Sequence, residues 1–152
     1  MSRSTGVNPE GWFPLLGLDI SGRRIGLAMC ADRRTPPQPL FTYARRTRAR
    51  DVAQCAEWVR RYRIGAVVIG LPLNMDGTPG PRAQWTRRFA QELEEQLSVP
   101  VLLQDERLST VEAEEMLQAQ GLSREERAER VDTVAAAVIL QRFVAEQASD
   151  GG

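Results

Sequence analysis

The side chains able to do chemistry in this 152-residue chain are carboxylates, because histidine is absent. That absence removes imidazole as a base, a nucleophile's partner or a zinc ligand, and leaves acid–base and metal work to Asp and Glu. Asp19 is the first candidate. It ends the apolar run Leu15-Leu16-Gly17-Leu18 and is followed by Ser21-Gly22 and by Arg23-Arg24. A carboxylate at a buried strand's end, beside a tight turn and two guanidinium groups, suits a cation or a phosphate-bearing ligand. A turn aspartate capping its own backbone fits the same residues. Further acidic candidates lie far along the chain, in Gln104-Asp105-Glu106-Arg107 and at Asp132. Three carboxylates from distant segments are the ingredients of a divalent-metal site. Mg²⁺ takes hard oxygen ligands, and two such ions about 3.5–4 Å apart can hold both the attacking water and the leaving oxygen in phosphodiester cleavage. Asp132 alone would also suit a helix dipole.

These positions need a scaffold that brings them to one edge. Leu15 to Asp19 and Ile25 to Cys30 read as strands joined by the Ser21-Gly22 turn, and Leu40 to Ala44 as a third strand closing an antiparallel meander. The basic stretch Arg45-Arg46-Thr47-Arg48-Ala49-Arg50 leads into an amphipathic helix over 51–62, with Val52, Cys55, Ala56 and Val59 on one face. The unbroken run Ala66 to Leu71 fits a central strand, parallel to the first because a helix precedes it. A long Gly/Pro-rich loop over 70–81 follows its carboxyl end, where ligands bind in open α/β sheets. Next come a helix over 82–97, a fifth strand over 99–103, and a helix opened by Ser109-Thr110-Val111-Glu112 read as a capping box. A charged stretch over 123–130 leads to a last helix over 131–147, with Asp132 in its first turn. The pattern predicts an α/β fold: an RNase H-like mixed five-stranded sheet, order 3-2-1-4-5, with flanking helices. Residues 1–13 are expected to be a flexible leader, 14–148 a single domain and 149–152 a flexible tail.

The hydrophobic and charged fractions are those of an ordinary soluble globule. No apolar run approaches a membrane span and no signal-peptide pattern opens the chain, so the expected location is the cytoplasm, away from membranes. Cys30 and Cys55, each in apolar surroundings, are expected as buried free thiols. The net charge of zero conceals an asymmetry: residues 23–88 hold fourteen Arg against four acidic residues, and 89–152 hold fourteen acidic residues against five Arg. A basic half facing an acid-lined site suits a metal-dependent enzyme acting on nucleic acid; a solvated basic face suits the same count.

The motifs resemble the YqgF/RuvX family of Holliday junction resolvases, whose members are also named pre-16S rRNA nucleases. The resemblance rests on Gly17-Leu18-Asp19 with Arg24-Ile25-Gly26-Leu27-Ala28, on Gly70-Leu71-Pro72-Leu73-Asn74 with Asp76-Gly77, on Asp105 to Thr110, and on Asp132 before Ala135-Ala136 and Ile139-Leu140-Gln141. It implies an RNase H-like endonuclease dependent on Mg²⁺ or Mn²⁺, with Asp19, Glu106 and Asp132 as its acidic triad. Expected nucleic-acid contacts are Arg23, Arg24, Asn74 and Arg82, with Asp105 and Arg107 as further candidates and Asp105 as the stand-in for Glu106. The chain departs from the family in having Ser21 where a turn glycine is usual, and arginines or acids where lysines are common. The implied partners are four-way junction DNA or precursor 16S rRNA, and a two-fold homodimer would suit symmetric cutting. Two other readings stay open: a noncatalytic nucleic-acid-binding module, which needs no three acids on one edge, and an actin-like ATP-binding protein, which needs about twice this length.

Overall fold

The structure is a computed structural model and describes residues 9–151. The expected leader therefore falls mostly outside the described residues, and its last part is a 3-10 turn, Pro9–Trp12, with Trp12 packed 5.9 Å from Phe143. Five strands follow the predicted order: β1 (Leu15–Ile20), β2 (Arg24–Cys30), β3 (Gln38–Ala44), β4 (Ala66–Leu71) and β5 (Val101–Asp105) form one sheet, β3-β2-β1-β4-β5. β1 and β2 are antiparallel, with Asp19 opposite Gly26. β4 lies parallel to β1, and β5 parallel to β4.

Alternation divides the sheet's residues between two cores. Leu16, Leu18, Ile25, Leu27, Val67 and Ile69 face one side, where α1 (Arg48–Arg61) and α2 (Pro81–Glu95) cover them with Val52, Cys55, Val59, Phe89 and Leu93. Leu15, Ala28, Cys30, Ala66 and Val68 face the other side, against Ala136, Ile139, Leu140 and Phe143 of the long α4 (Arg124–Gly151). α3 (Ser109–Ala119) packs on α4. Both cysteines are buried and free.

Three expectations about helix ends are corrected. The Ser109–Glu112 pattern is not a capping box: Leu108 is the N-cap residue of α3, in the left-handed region at φ 69°, and no side chain caps that end. Ser109 and Glu112 turn instead to Arg142, whose Nη1 and Nη2 donate to Ser109 Oγ at 3.3 Å and to Glu112 Oε1 at 2.7 Å. The capping box sits at Ser123, where the Glu126 N–H donates to Ser123 Oγ at 3.2 Å and the Ser123 N–H to Glu126 Oε1 at 2.8 Å. α4 thus starts at Arg124 rather than near Val131, and Asp132 stands two turns inside it, beyond the reach of the dipole at the helix end. The helix also continues to Gly151, through most of the segment expected as a tail.

Candidate active site

α4 lies close on the sheet because glycines on β1, β2 and β4 leave room for it. A Cβ at Gly17 would fall 2.6 Å from Leu140 Cγ, one at Gly26 would collide with the Asp132 carbonyl, and one at Gly70 would fall 2.6 Å from Ile139 Cδ1. Glycine within a strand marks such close approaches, and these three are the trace that the helix leaves in the sequence. The Gly26 vacancy seats the Asp132 backbone on β2 at the residue that pairs with Asp19.

The Gly70 vacancy admits Glu106. β5 is separated from β1 by β4, so a side chain from its end must cross about two strand spacings, roughly 10 Å. The Glu106 N–H donates to the Leu71 carbonyl at 3.1 Å, which turns the chain inward after β5. The side chain then lies over bare Gly70, with Cδ and Cβ 3.0 and 3.1 Å from where a Cβ would be. There its carboxyl hydrogen-bonds with Asp19.

Burial decides the protonation of this pair. Asp19 is only 6 % exposed. Removal from water raises Glu106 to about 9, and the Asp19 charge and hydrogen bond add to the rise against the opposing pull of Arg82. Asp19 rises to about 6, again chiefly through burial, with the Glu106 hydrogen bond and Arg82 lowering it and Asp132 raising it. At neutral pH Glu106 therefore keeps a proton that it shares with ionised Asp19. Asp132 is raised by burial, opposed by Arg24, whose Nε lies 3.1 Å from its Oδ2.

Asp105 does not join them. It accepts from the Arg107 backbone N–H and Nε, both at 2.9 Å, and these bonds hold its carboxyl below the usual carboxylate range despite partial burial. Arg107 is a strut, with Nη1 donating to the Met75 carbonyl at 3.0 Å. Asn74 serves its own loop through Nδ2 to Thr78 Oγ1 at 3.0 Å. Arg24 is committed to Asp132, whereas Arg23 and Arg82 are exposed. Arg142, unnoticed in the sequence, donates to the Arg107 carbonyl at 2.8 Å and ties the Glu106 loop to α4.

A family profile described as RuvX, Holliday junction resolvase, matches residues 14–146. The chain belongs to the RuvX family. A relative from Anaeromyxobacter sp. (strain Fw109-5), named "Putative pre-16S rRNA nuclease", is 51% identical over 129 residues, covering 85% of this chain and 94% of its own. One of the same name from Synechococcus elongatus is 42% identical over 136 residues, 90% of this chain and 91% of the relative. Among solved structures, T. thermophilus RuvC in complex with a Holliday junction substrate superposes with TM-score 0.55 at 18% identity, over 85% of this chain and 94% of RuvC. Fowlpox virus resolvase, solved with Holliday junction DNA, superposes with TM-score 0.54 at 9% identity, over 89% of this chain and 99% of the resolvase. At those identities the likeness is one of fold, and the fold is RNase H-like. Membership of RuvX places the chain among nucleases.

Among the described residues no three acidic or thiol side chains form a ready-made metal cage. Two features nevertheless fit a hard cation: the donors are carboxylate oxygens, and among the described residues buried Glu106 Oε1 has no hydrogen-bond partner. An orphaned oxygen beside a proton-sharing carboxylate pair is a place where a divalent ion could replace the proton.

Proposed function

We propose that this RuvX member is a Mg²⁺- or Mn²⁺-dependent endonuclease that hydrolyses phosphodiester bonds in structured nucleic acid, either four-way junction DNA or the 5′ end of precursor 16S rRNA. The observation that carries the reading is the buried Asp19–Glu106 pair with Asp132 beside it, in a chain whose relatives are named nucleases. Asp19, Glu106 and Asp132 would hold the metal, which when bound supplies Lewis-acid polarisation of the phosphate and an activated water. The protein's own groups do the remaining work. Glu106 holds a proton at its carboxyl until a cation takes its place. Arg82 balances the pair's negative charge, and together with Arg23 it would bind substrate phosphates, while Arg24 would pass between Asp132 and a phosphate. Asn74 would contribute through the loop it braces, and Arg107 and Asp105 hold the Glu106 loop in place.

The domain doing this work is 14–148, in the cytoplasm; among the described residues no helix is long and apolar enough to cross a membrane. A two-fold homodimer would present two such sites to a symmetric junction. The test is cleavage of end-labelled junction DNA and a 16S precursor side by side, with Mg²⁺, Mn²⁺ or chelator. Cleavage that requires the metal is expected, with a substrate preference above tenfold; cleavage undiminished by chelator, or none of either substrate, refutes the reading.

A further inference from the structure

Arg82 faces two regions. Its charge acts on Asp19 and Glu106, and it also lines a cavity of about 290 Å³ on the α1/α2 side of the sheet, bounded by Ser21, Gly22, Arg45, Trp85 and Thr86. Ile20, the residue after Asp19, reaches the same cavity, so it lies around the sheet's edge from the carboxylates.

Arg45 is held rigid there. Its Nε donates to Asp51 Oδ2 at 3.2 Å and its Nη1 to the Ser21 carbonyl at 2.9 Å, and its guanidinium carbon lies 4.4 Å from the centre of the Trp85 ring. Asp51 is fully buried and is itself fixed by the Arg46 N–H at 2.9 Å. Trp85 is backed in turn by Phe89, with stacked rings 5.5 Å apart. These bonds take up Nε and Nη1, and Nη2 is the nitrogen of the fork that they leave over. A guanidinium fixed by an acid, a carbonyl and an indole loses little freedom when it meets a ligand.

We propose that this cavity is a second phosphate subsite, in which Arg45 Nη2 and Arg82 hold the phosphodiester of a nucleotide neighbouring the one that is cut. The inference rests on the nuclease reading and extends the substrate's path around the sheet's edge. The chemistry favours a phosphate over a base, because Trp85 is already stacked on Phe89 and carries the Arg45 guanidinium over its ring. Asp51 offsets the charge of Arg45, and Arg82 leaves the cavity positive, with no acidic side chain lining it. The space is near the small end of ligand pockets, about 300 Å³, room for one nucleotide's backbone and not for a duplex.

The experiment measures binding of a fluorescent four-way DNA junction by anisotropy, in chelator, across a salt series. Arg45→Lys keeps a cation for Asp51 but spends its single ammonium there. It should weaken binding about three- to tenfold and reduce the slope of log K against log salt by about 0.7–0.9, the loss of one phosphate contact. Gly22→Glu provides an independent route, since a Cβ at Gly22 meets nothing within 4 Å and the added charge would face the cavity without disturbing the fold. It should weaken binding by a similar factor. Arg61→Ala, on a surface pair with Glu57, is the control and should bind as wild type. Wild-type affinity and slope in both Arg45→Lys and Gly22→Glu, with melting temperatures unchanged, overturn the subsite while leaving the nuclease reading intact. Loss of the contact in a chain that cleaves nothing with metal refutes the nuclease and, with it, the assignment of this cavity to a nucleotide beside the cut.

Discussion

Replacing Gly70 by alanine adds one methyl group and touches no ligand atom, yet it should disable the site. The new Cβ would stand 2.6 Å from Ile139 Cδ1 and 3.0 Å from Glu106 Cδ. Carbon atoms in contact prefer about 3.5–4.0 Å, so these neighbours must retreat by roughly 0.9 and 0.5 Å at least. Ile139 is fully buried and has little room, so most of the accommodation falls on the Glu106 side chain. Overpacking of this kind costs about 1–3 kcal/mol, which in a chain of this size lowers the melting temperature by about 2–12 °C. A displacement of up to about 1 Å in a positioned catalytic group costs up to about a hundredfold in rate. Cleavage at 25 °C, where the variant stays folded, should therefore fall about ten- to a hundredfold, with junction affinity in chelator within twofold of wild type. Gly22→Ala, with nothing within 4 Å of its Cβ, should change neither quantity. Wild-type cleavage by Gly70→Ala would mean that Glu106 does not work from the Gly70 vacancy.

Asp19→Asn should abolish cleavage while leaving junction binding and melting temperature near wild type, because the amide is nearly isosteric; wild-type turnover would remove Asp19 from the site. Glu106→Gln should cut the rate at least about a hundredfold at nearly unchanged stability, whereas Asp105→Asn, which weakens a half-exposed pair with Arg107, should cost on the order of 0.5–1 kcal/mol and little rate; the opposite pattern would redraw the triad. In chelator, stability should decline as pH rises. Between the ordinary value of 4.5 and about 9 the folded state keeps a Glu106 proton that the unfolded chain has released, so the contribution is present in acid and lost through that window. Thermal melts of wild type from pH 5 to 9 should show this fall and Glu106→Gln a flatter one; equal slopes would place Glu106 in water.

Much of this was legible in the sequence, and the misses have local causes. Apolar runs mark β1, β2, β4 and β5, short turns make β2 and β3 antiparallel neighbours, and a helix before β4 and before β5 gives their parallel sense. The capping-box motif is short, and Ser109 satisfies it on paper as well as Ser123 does, although only Ser123 makes the reciprocal bonds. The first turns of α4 are almost wholly polar, so its apolar periodicity begins only near Val131, seven residues after the helix does. At Ser109, a long-range claim by Arg142 overrides the local pattern, and no window of sequence shows a contact thirty-three residues away. The pairing of Arg24 with Asp132 joins β2 to α4 across more than a hundred residues, and the reach of a long side chain from strand to helix is invisible in one dimension. The choice between Asp105 and Glu106 had a visible basis in alternation. The gap that lets the longer side chain through belongs to Gly70, a strand away.

α4 carries a consequence for how this family can vary in length. Asp132, Ala136, Ile139, Leu140 and Phe143 follow one another at helical spacing, and the first four meet the strand glycines. The phase of the acidic residue is therefore counted from the sheet and not from the cap at Ser123. Insertions or deletions in the polar stretch before Asp132 would turn the cap and the α3 connection about the helix axis by roughly 100° per residue and leave the carboxylate where it is. The same change between Asp132 and Leu140 would swing the acid away from Asp19 while the remaining turns kept their seats. Natural length variation should then collect around Gly121 and Leu122 and be absent from the following stripe.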